Sequence, residues 1–184
     1  ITKKFPEHPF SWKILGGIYK ALGRMADALA AGKKAVELGP GDNQTQNSLG
    51  VILEELGRFE EAEASYEKAV LINPEDCRAH YNLGNAMRKL EKFEEAATAY
   101  RQAITVMPDY AEAHSNLGVT LKELGQLEES AASFRQAIAI IPDYPDAHYN
   151  LGNALKDLGR LKEAEASYTQ AVAFKPDYAE AHNN

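Results

Sequence analysis

The chain has 184 residues, 45% hydrophobic and 26% charged, enough apolar side chains to fold and an ordinary charge content. A net charge of −7 argues against nucleic acid and anionic membrane as partners, since both attract basic surfaces. No apolar run approaches the roughly 20 residues of a membrane span, and the single cysteine, Cys77, cannot close an internal disulfide, which leaves the compartment open with the cytoplasm as default.

The dominant signal is self-similarity at 34 residues. Leucine and glycine recur together at Leu15 and Gly16, Leu49 and Gly50, Leu83 and Gly84, Leu117 and Gly118, and Leu151 and Gly152. Proline recurs at Pro6, Pro40, Pro74, Pro108, Pro142 and Pro176. Small residues recur at Ala28, Ala62, Ala96, Ser130 and Ala164, and again at Ala35, Ala69, Ala103, Ala137 and Ala171. A large aromatic recurs at Tyr66, Tyr100, Phe134 and Tyr168.

In chain order, residues 1–8 read as the end of one unit. Complete units occupy 9–42, 43–76, 77–110, 111–144 and 145–178, and 179–184 begins a further one, as if the chain were taken from a longer array. Each unit reads as two amphipathic helices. In the third, the stripes are His80, Leu83, Gly84, Met87 and Leu90, then Phe93, Ala96, Ala97, Tyr100, Ala103 and Ile104. Gly23, Gly57, Gly125 and Gly159 follow the first helices and supply the left-handed residue that ends a helix. The third unit has Glu91 there and is expected to carry modest strain. The prolines end the second helices. Asp109 with Glu112, and Asp177 with Glu180, have capping-box spacing, and Pro145 suits a first helical turn. The expected fold is all-α, ten full helices in five antiparallel pairs, with Leu83, Leu117, Leu151, Ala96, Ala103, Ala137, Ala164 and Ala171 in the core.

An aromatic, Leu-Gly, an alanine, an aromatic, an alanine and a proline at fixed offsets resemble the tetratricopeptide repeat over nearly the whole chain. The first unit departs most, with Trp12 where later units have Gln or His, and Gly32 where they have Tyr or Phe. The resemblance implies a right-handed α-solenoid superhelix whose first helices line a concave groove that holds a protein or peptide. Groove-facing residues would come from offsets 2, 5, 6, 9, 12 and 13 of each unit. Across these offsets seven residues are basic and six acidic, so the chain's acidity lies mostly elsewhere.

Asn82, Asn116, Asn150 and Asn184 form a ladder similar to that of O-linked N-acetylglucosamine transferases, where it holds peptide main chain. The plainer alternative is that each amide bonds a neighbouring helix. Arg78, Tyr81, Arg88 and Lys89 form a basic, aromatic spot for a carboxylate, unless their charges are simply solvated or paired. With Asn85, Lys122, Tyr149, Asn153 and Lys156 they complete the candidate partner-binding set. The two-carboxylate clamp of chaperone-tail-binding relatives fits no register, since Lys13 is followed by Gly17, and Asn82 by Glu112 and Asn116.

His80, His114, His148 and His182 fall on separate units, too far apart for one metal, and read as packed imidazoles. Cys77 near a helix start reads as an inert thiol, and the Asn43-Gln44-Thr45 sequon falls where a helix begins. No nucleophile–base pair, phosphate loop or paired acids appear, so neither catalysis nor a cofactor is expected of the chain. The readings are a peptide-binding scaffold, the substrate-recruiting arm of a glycosyl-, sulfo- or methyltransferase, or a self-assembling module. For the last, apolar atoms of Leu161, Tyr168, Ala171, Val172 and Phe174 at one end, and Trp12, Ile14 and Ile18 at the other, are expected to be partly uncovered and to favour end-to-end association.

Overall fold

The computed structural model describes residues 7–175. Among these residues all regular structure is helical: α1 (Pro9–Ala21), α2 (Met25–Leu38), α3 (Asn43–Glu55), α4 (Phe59–Ile72), α5 (Cys77–Lys89), α6 (Phe93–Val106), α7 (Ala111–Glu123), α8 (Leu127–Ile140), α9 (Pro145–Asp157) and α10 (Leu161–Phe174). The helices fall into two compact units, Ile1–Lys92 and Phe93–Asn184. In the first, α1 packs on α2 and α3 on α4, and α2 and α4 each pack on the following helix. In the second, α7 pairs with α8 and α9 with α10, and α6 and α8 pack forward in the same way. This is the architecture of a helix-pair solenoid.

The helix ends follow from the repeated residues. Gly23, Gly57, Gly125 and Gly159 all have φ between 71° and 73°. Each closes the preceding helix with two backbone bonds; at the first, Gly23 N–H donates to Lys20 O and Arg24 N–H to Tyr19 O. Glu91 takes the same conformation at φ 59°, the only non-glycine to do so among the described residues, as its place in the repeat requires. The residues before Pro40, Pro74 and Pro142 have ψ of 66°, 93° and 93°, outside the helical range, because proline disfavours a helical neighbour. Pro145 opens α9 as expected.

One capping expectation is corrected. Helix α7 starts at Ala111 with Tyr110 at its cap and no side-chain cap bond, so Asp109 and Glu112 form no capping box. Asp109 stands one residue too early. The aspartates that do cap stand directly before their helices: Asp42 accepts from Gln44 N–H, and Asp76 from Arg78 and Ala79 N–H. Asp177 and Glu180 lie outside the described residues.

The core lies where the period put it. Ala96, Ala103, Ala137 and Ala171 are fully buried, and Leu83, Leu117, Leu151 and Ala164 nearly so. Within a pair, an aromatic on the second helix lies against bare glycine backbone on the first: Tyr66 on Gly50, Phe134 on Gly118, Tyr168 on Gly152. Burying such a ring is worth about 1.5–3 kcal/mol. Ser130, at an alanine position, satisfies its hydroxyl by donating to Gly118 O at 2.7 Å. The first unit breaks the pattern, because Gly32 offers Gly16 no ring.

The expectation for the last pair is also corrected in part. Leu161 and Phe174 are exposed, but Tyr168 and Ala171 are buried inside their own pair. In α1, Ile14 and Ile18 are exposed, as are Phe10 and, at the C-cap, Leu22, whereas Trp12 is half-buried.

Candidate partner-binding surface

The first helices of the Ile1–Lys92 unit, α1, α3 and α5, lie side by side, and so do α7 and α9 in the other unit. The candidate residues are carried by α5 in the one unit and by α7 and α9 in the other. Tyr81, Asn82, Asn85 and Arg88 are half-buried and Lys89 and Arg78 exposed on α5. On α7 and α9, Asn116, Lys122, Tyr149, Asn150 and Asn153 are half-buried and Lys156 is exposed. Ser115 departs from its groove offset: it is buried, being too short to reach past its neighbours.

An open cleft of about 480 Å³ lies between α3 and α5. Its lining is Val51, Glu54, Glu55, Phe59, Asn82, Asn85 and Lys89, a mixture of amides, both charges and apolar surface. The first rung of the asparagine ladder is bonded across helices: Asn82 Nδ2 donates to Asn47 Oδ1 at 3.0 Å. This bond orients the Asn82 amide, which keeps a second N–H and a carbonyl lone pair for a ligand. Asn184 lies outside the described residues.

Hydroxyls and charges fix the remaining side chains. Tyr66 reaches through its pair and donates to Glu54 Oε2 at 2.8 Å. Burial, with the Glu54 carboxylate adding to it, pushes the Tyr66 phenol far above its ordinary range, so it stays a donor. In the other unit Tyr168 donates to Asn153 Oδ1 at 2.8 Å, and its ring lies 5.8 Å from that of Tyr149. Burial, then Tyr149 and Asp157, also raise the Tyr168 pKa. Lys20 pairs with Glu55 at 2.6 Å, Lys13 with Asp42 at 3.3 Å and Lys122 with Asp157 at 3.1 Å. Each pair joins adjacent first helices or their caps. None of these cross-helix partners was apparent in the sequence, though Lys20 and Glu55, and Lys122 and Asp157, lie one residue more than the 34-residue period apart.

Within the basic spot, Arg88 is held so that its Nε is buried without a protein hydrogen-bond partner. Arg78 sits exposed in the first turn of α5. The imidazoles of His80, His114 and His148 each donate from Nε2 to the carbonyl of Pro74, Pro108 and Pro142 at 2.9 Å, tying each helix start to its own loop. His182 lies outside the described residues. Cys77 is half-buried, and Asn43 of the sequon donates to Asp76 Oδ2 at 2.7 Å.

Comparison with known proteins agrees with the helix-pair fold. The TPR repeat family matches residues 52–90, 84–125 and 120–159, and two further tetratricopeptide repeat families match 145–178 and 1–43. A search of curated proteins found no match. Among solved structures, MamA is 25% identical with TM-score 0.84, over 90% of this chain and 97% of its own. A thermophilic TPR protein of Thermus thermophilus is 26% identical with TM-score 0.71, over 95% of each chain. YrrB, described as a TPR protein with an unusual peptide-binding site, shares the fold at 23% identity and TM-score 0.83, over 99% of this chain and 94% of its own. With helix pairs at every 34-residue unit and the family's repeats matched along most of its length, the chain belongs to the tetratricopeptide repeat family.

Proposed function

We propose that the chain is a protein-interaction scaffold whose first-helix faces bind an extended segment of a partner polypeptide. The observation that carries this reading is the α3–α5 cleft, with Asn82 pre-oriented by Asn47 and with Asn85 and Lys89 in the same wall. An extended peptide presents alternating N–H and C=O groups, which carboxamides match on both counts. Arg88 and Lys89 add affinity for a carboxylate, and a charge-assisted bond is roughly twice as strong as a neutral one. In the fourth and fifth 34-residue units, Asn116 and Asn150 stand at the same offset. The repeats fit a binding role rather than catalysis, and an association with a transferase domain would rest on a recruiting function of this same face.

The test is replacement of Asn82, Asn116 and Asn150 together by alanine. A peptide selected from a random display library on the wild-type chain should bind the triple variant about ten- to a thousand-fold more weakly, from roughly 0.5–1.5 kcal/mol per lost bond. Undiminished binding with unchanged helicity would remove the ladder from the mechanism.

Self-association is a second reading, supported by one observation. Phe10, Ile14 and Ile18 on α1 and Leu22 at its C-cap are all exposed at four-residue spacing, an apolar stripe along one side of the helix. Sedimentation velocity should show mass rising with concentration, and Ile14→Lys with Ile18→Lys should return a monomer. A concentration-independent monomer in the wild type would dismiss it.

A further inference from the structure

We propose that a cavity in the first helix pair receives the phenyl ring of a phenylalanine flanked by acidic residues in the partner segment. The cavity is about 220 Å³ and lies among α1, α2 and α3. It exists because Gly32 stands where the other units place Tyr66, Tyr100, Phe134 and Tyr168. In the second, fourth and fifth units that ring presses on Gly50, Gly118 or Gly152; in the first, even a Cβ added at the equivalent Gly16 would meet nothing closer than 3.5 Å. Leu49 and Ile52 approach Gly32 but do not fill the space, so a ring-sized volume remains. A cavity of roughly 150 Å³ with apolar walls is enough to bind benzene.

The lining separates by depth. Gly16, Gly32, Ala35, Thr45 and Ile52 are buried and form the floor. Gly17 is exposed, and Lys13, Lys20, Asn47, Ser48 and Val51 are half-buried; they form the mouth, on the first-helix face. The Thr45 hydroxyl is already committed to Asp42, so the floor offers a ligand little polarity. The occupant is therefore apolar at its tip, ring-shaped by the template of the other units, and enters from the first-helix side. Two lysines and no carboxylate line the cavity. Each ammonium has three N–H donors; Lys20 uses one on Glu55, and Lys13 uses its own on Asp42 and Gln44. The donors left over, two on Lys20 and one on Lys13, can bond carboxylates beside the ring.

The inference rests on the first-helix face being a peptide-binding surface, and the test separates the two. The probe is a tripeptide of phenylalanine between two aspartates, blocked at both ends, titrated into ¹⁵N-labelled full chain. Amide shifts at Gly16, Gly17 and Gly32, and ring-to-methyl contacts at Ile52, are the expected result. Gly32→Tyr supplies the missing ring, and Gly17→Leu covers the mouth, where an added side chain meets open space. Either variant, with unchanged helicity, should weaken the tripeptide by more than about tenfold, as should alanine in place of its phenylalanine. Absence of binding, or binding indifferent to Gly32→Tyr and Gly17→Leu, overturns the proposal. If the tripeptide shifts Asn82 and Asn85 but not the glycines, the cavity proposal fails while the peptide-binding face stands.

Discussion

The glycines of the repeat divide into two kinds, and one substitution distinguishes them. A Cβ added at Gly50 would lie 2.5, 2.7 and 2.8 Å from Cε1, Cδ1 and Cζ of Tyr66. Carbon pairs rest at about 3.5–4.0 Å, so three ring atoms would overlap it by about 1 Å. The ring cannot retreat: it is fully buried, and its hydroxyl is held by Glu54 at 2.8 Å. Overpacking of this kind costs about 1–3 kcal/mol, against a gain of about 0.5–1 kcal/mol for alanine over glycine inside a helix. Gly50→Ala should therefore destabilise by a net ~0–2.5 kcal/mol, about 1 kcal/mol at mid-range. At Gly16 the nearest atoms are Ala28 O at 3.5 Å, Gly32 N at 3.6 Å and Ala31 Cβ at 3.7 Å, ordinary contacts. Gly16→Ala keeps only the helix gain and should stabilise by about 0.5–1 kcal/mol. At roughly 2–4 °C per kcal/mol for a chain of this size, circular-dichroism melting should fall for Gly50→Ala and rise for Gly16→Ala. Shifts of the same sign would refute the ring-on-glycine packing.

Three further outcomes are expected. Glu91→Gly relieves the positive φ of 59° and should raise stability by about 1 kcal/mol, seen as a higher urea midpoint; no gain would mean the residue carries no strain. For Asp42, burial raises the pKa, but the Thr45 hydroxyl, Lys13 and the Gln44 amide outweigh it and hold the carboxyl below its ordinary value. A depressed carboxyl stabilises above its unfolded pKa of about 3.9 and loses that contribution as pH falls. Urea midpoints should thus drop less between pH 5 and pH 3 for Asp42→Asn than for wild type, and parallel curves would contradict the assignment. Ala103→Leu, at a fully buried position, should cost about 1–3 kcal/mol, and an unchanged melting curve would contradict its core placement.

The fold was legible because the residues that build it act through the backbone. Gly23 and Gly57 mark helix ends through φ, Pro40 and Pro74 through a missing N–H, and Gly50 and Gly118 through the absence of a side chain; each effect is local and recurs at 34 residues. Asp109 shows the limit, since capping depends on a one-residue register that spacing alone leaves open. The partner-facing offsets were legible as positions but not as bonds. Asn82 to Asn47 and Tyr66 to Glu54 join residues whose meeting depends on rotamer and helix separation. The cavity was half legible. Gly32 stood out as a missing aromatic, but whether Leu49 and Ile52 would collapse into the space is a packing outcome no spacing rule decides.

The central claim, that the first-helix face binds a polypeptide, is tested most directly by placing a photocrosslinking phenylalanine analogue at single positions and exposing it to a display-selected peptide. Asn85 in the α3–α5 cleft and Thr98, exposed on the second helix α6, are the informative pair. Crosslinking at Asn85 and none at Thr98 is the predicted result. Crosslinking at Thr98 with none at Asn85 would place binding on the second helices and contradict the claim.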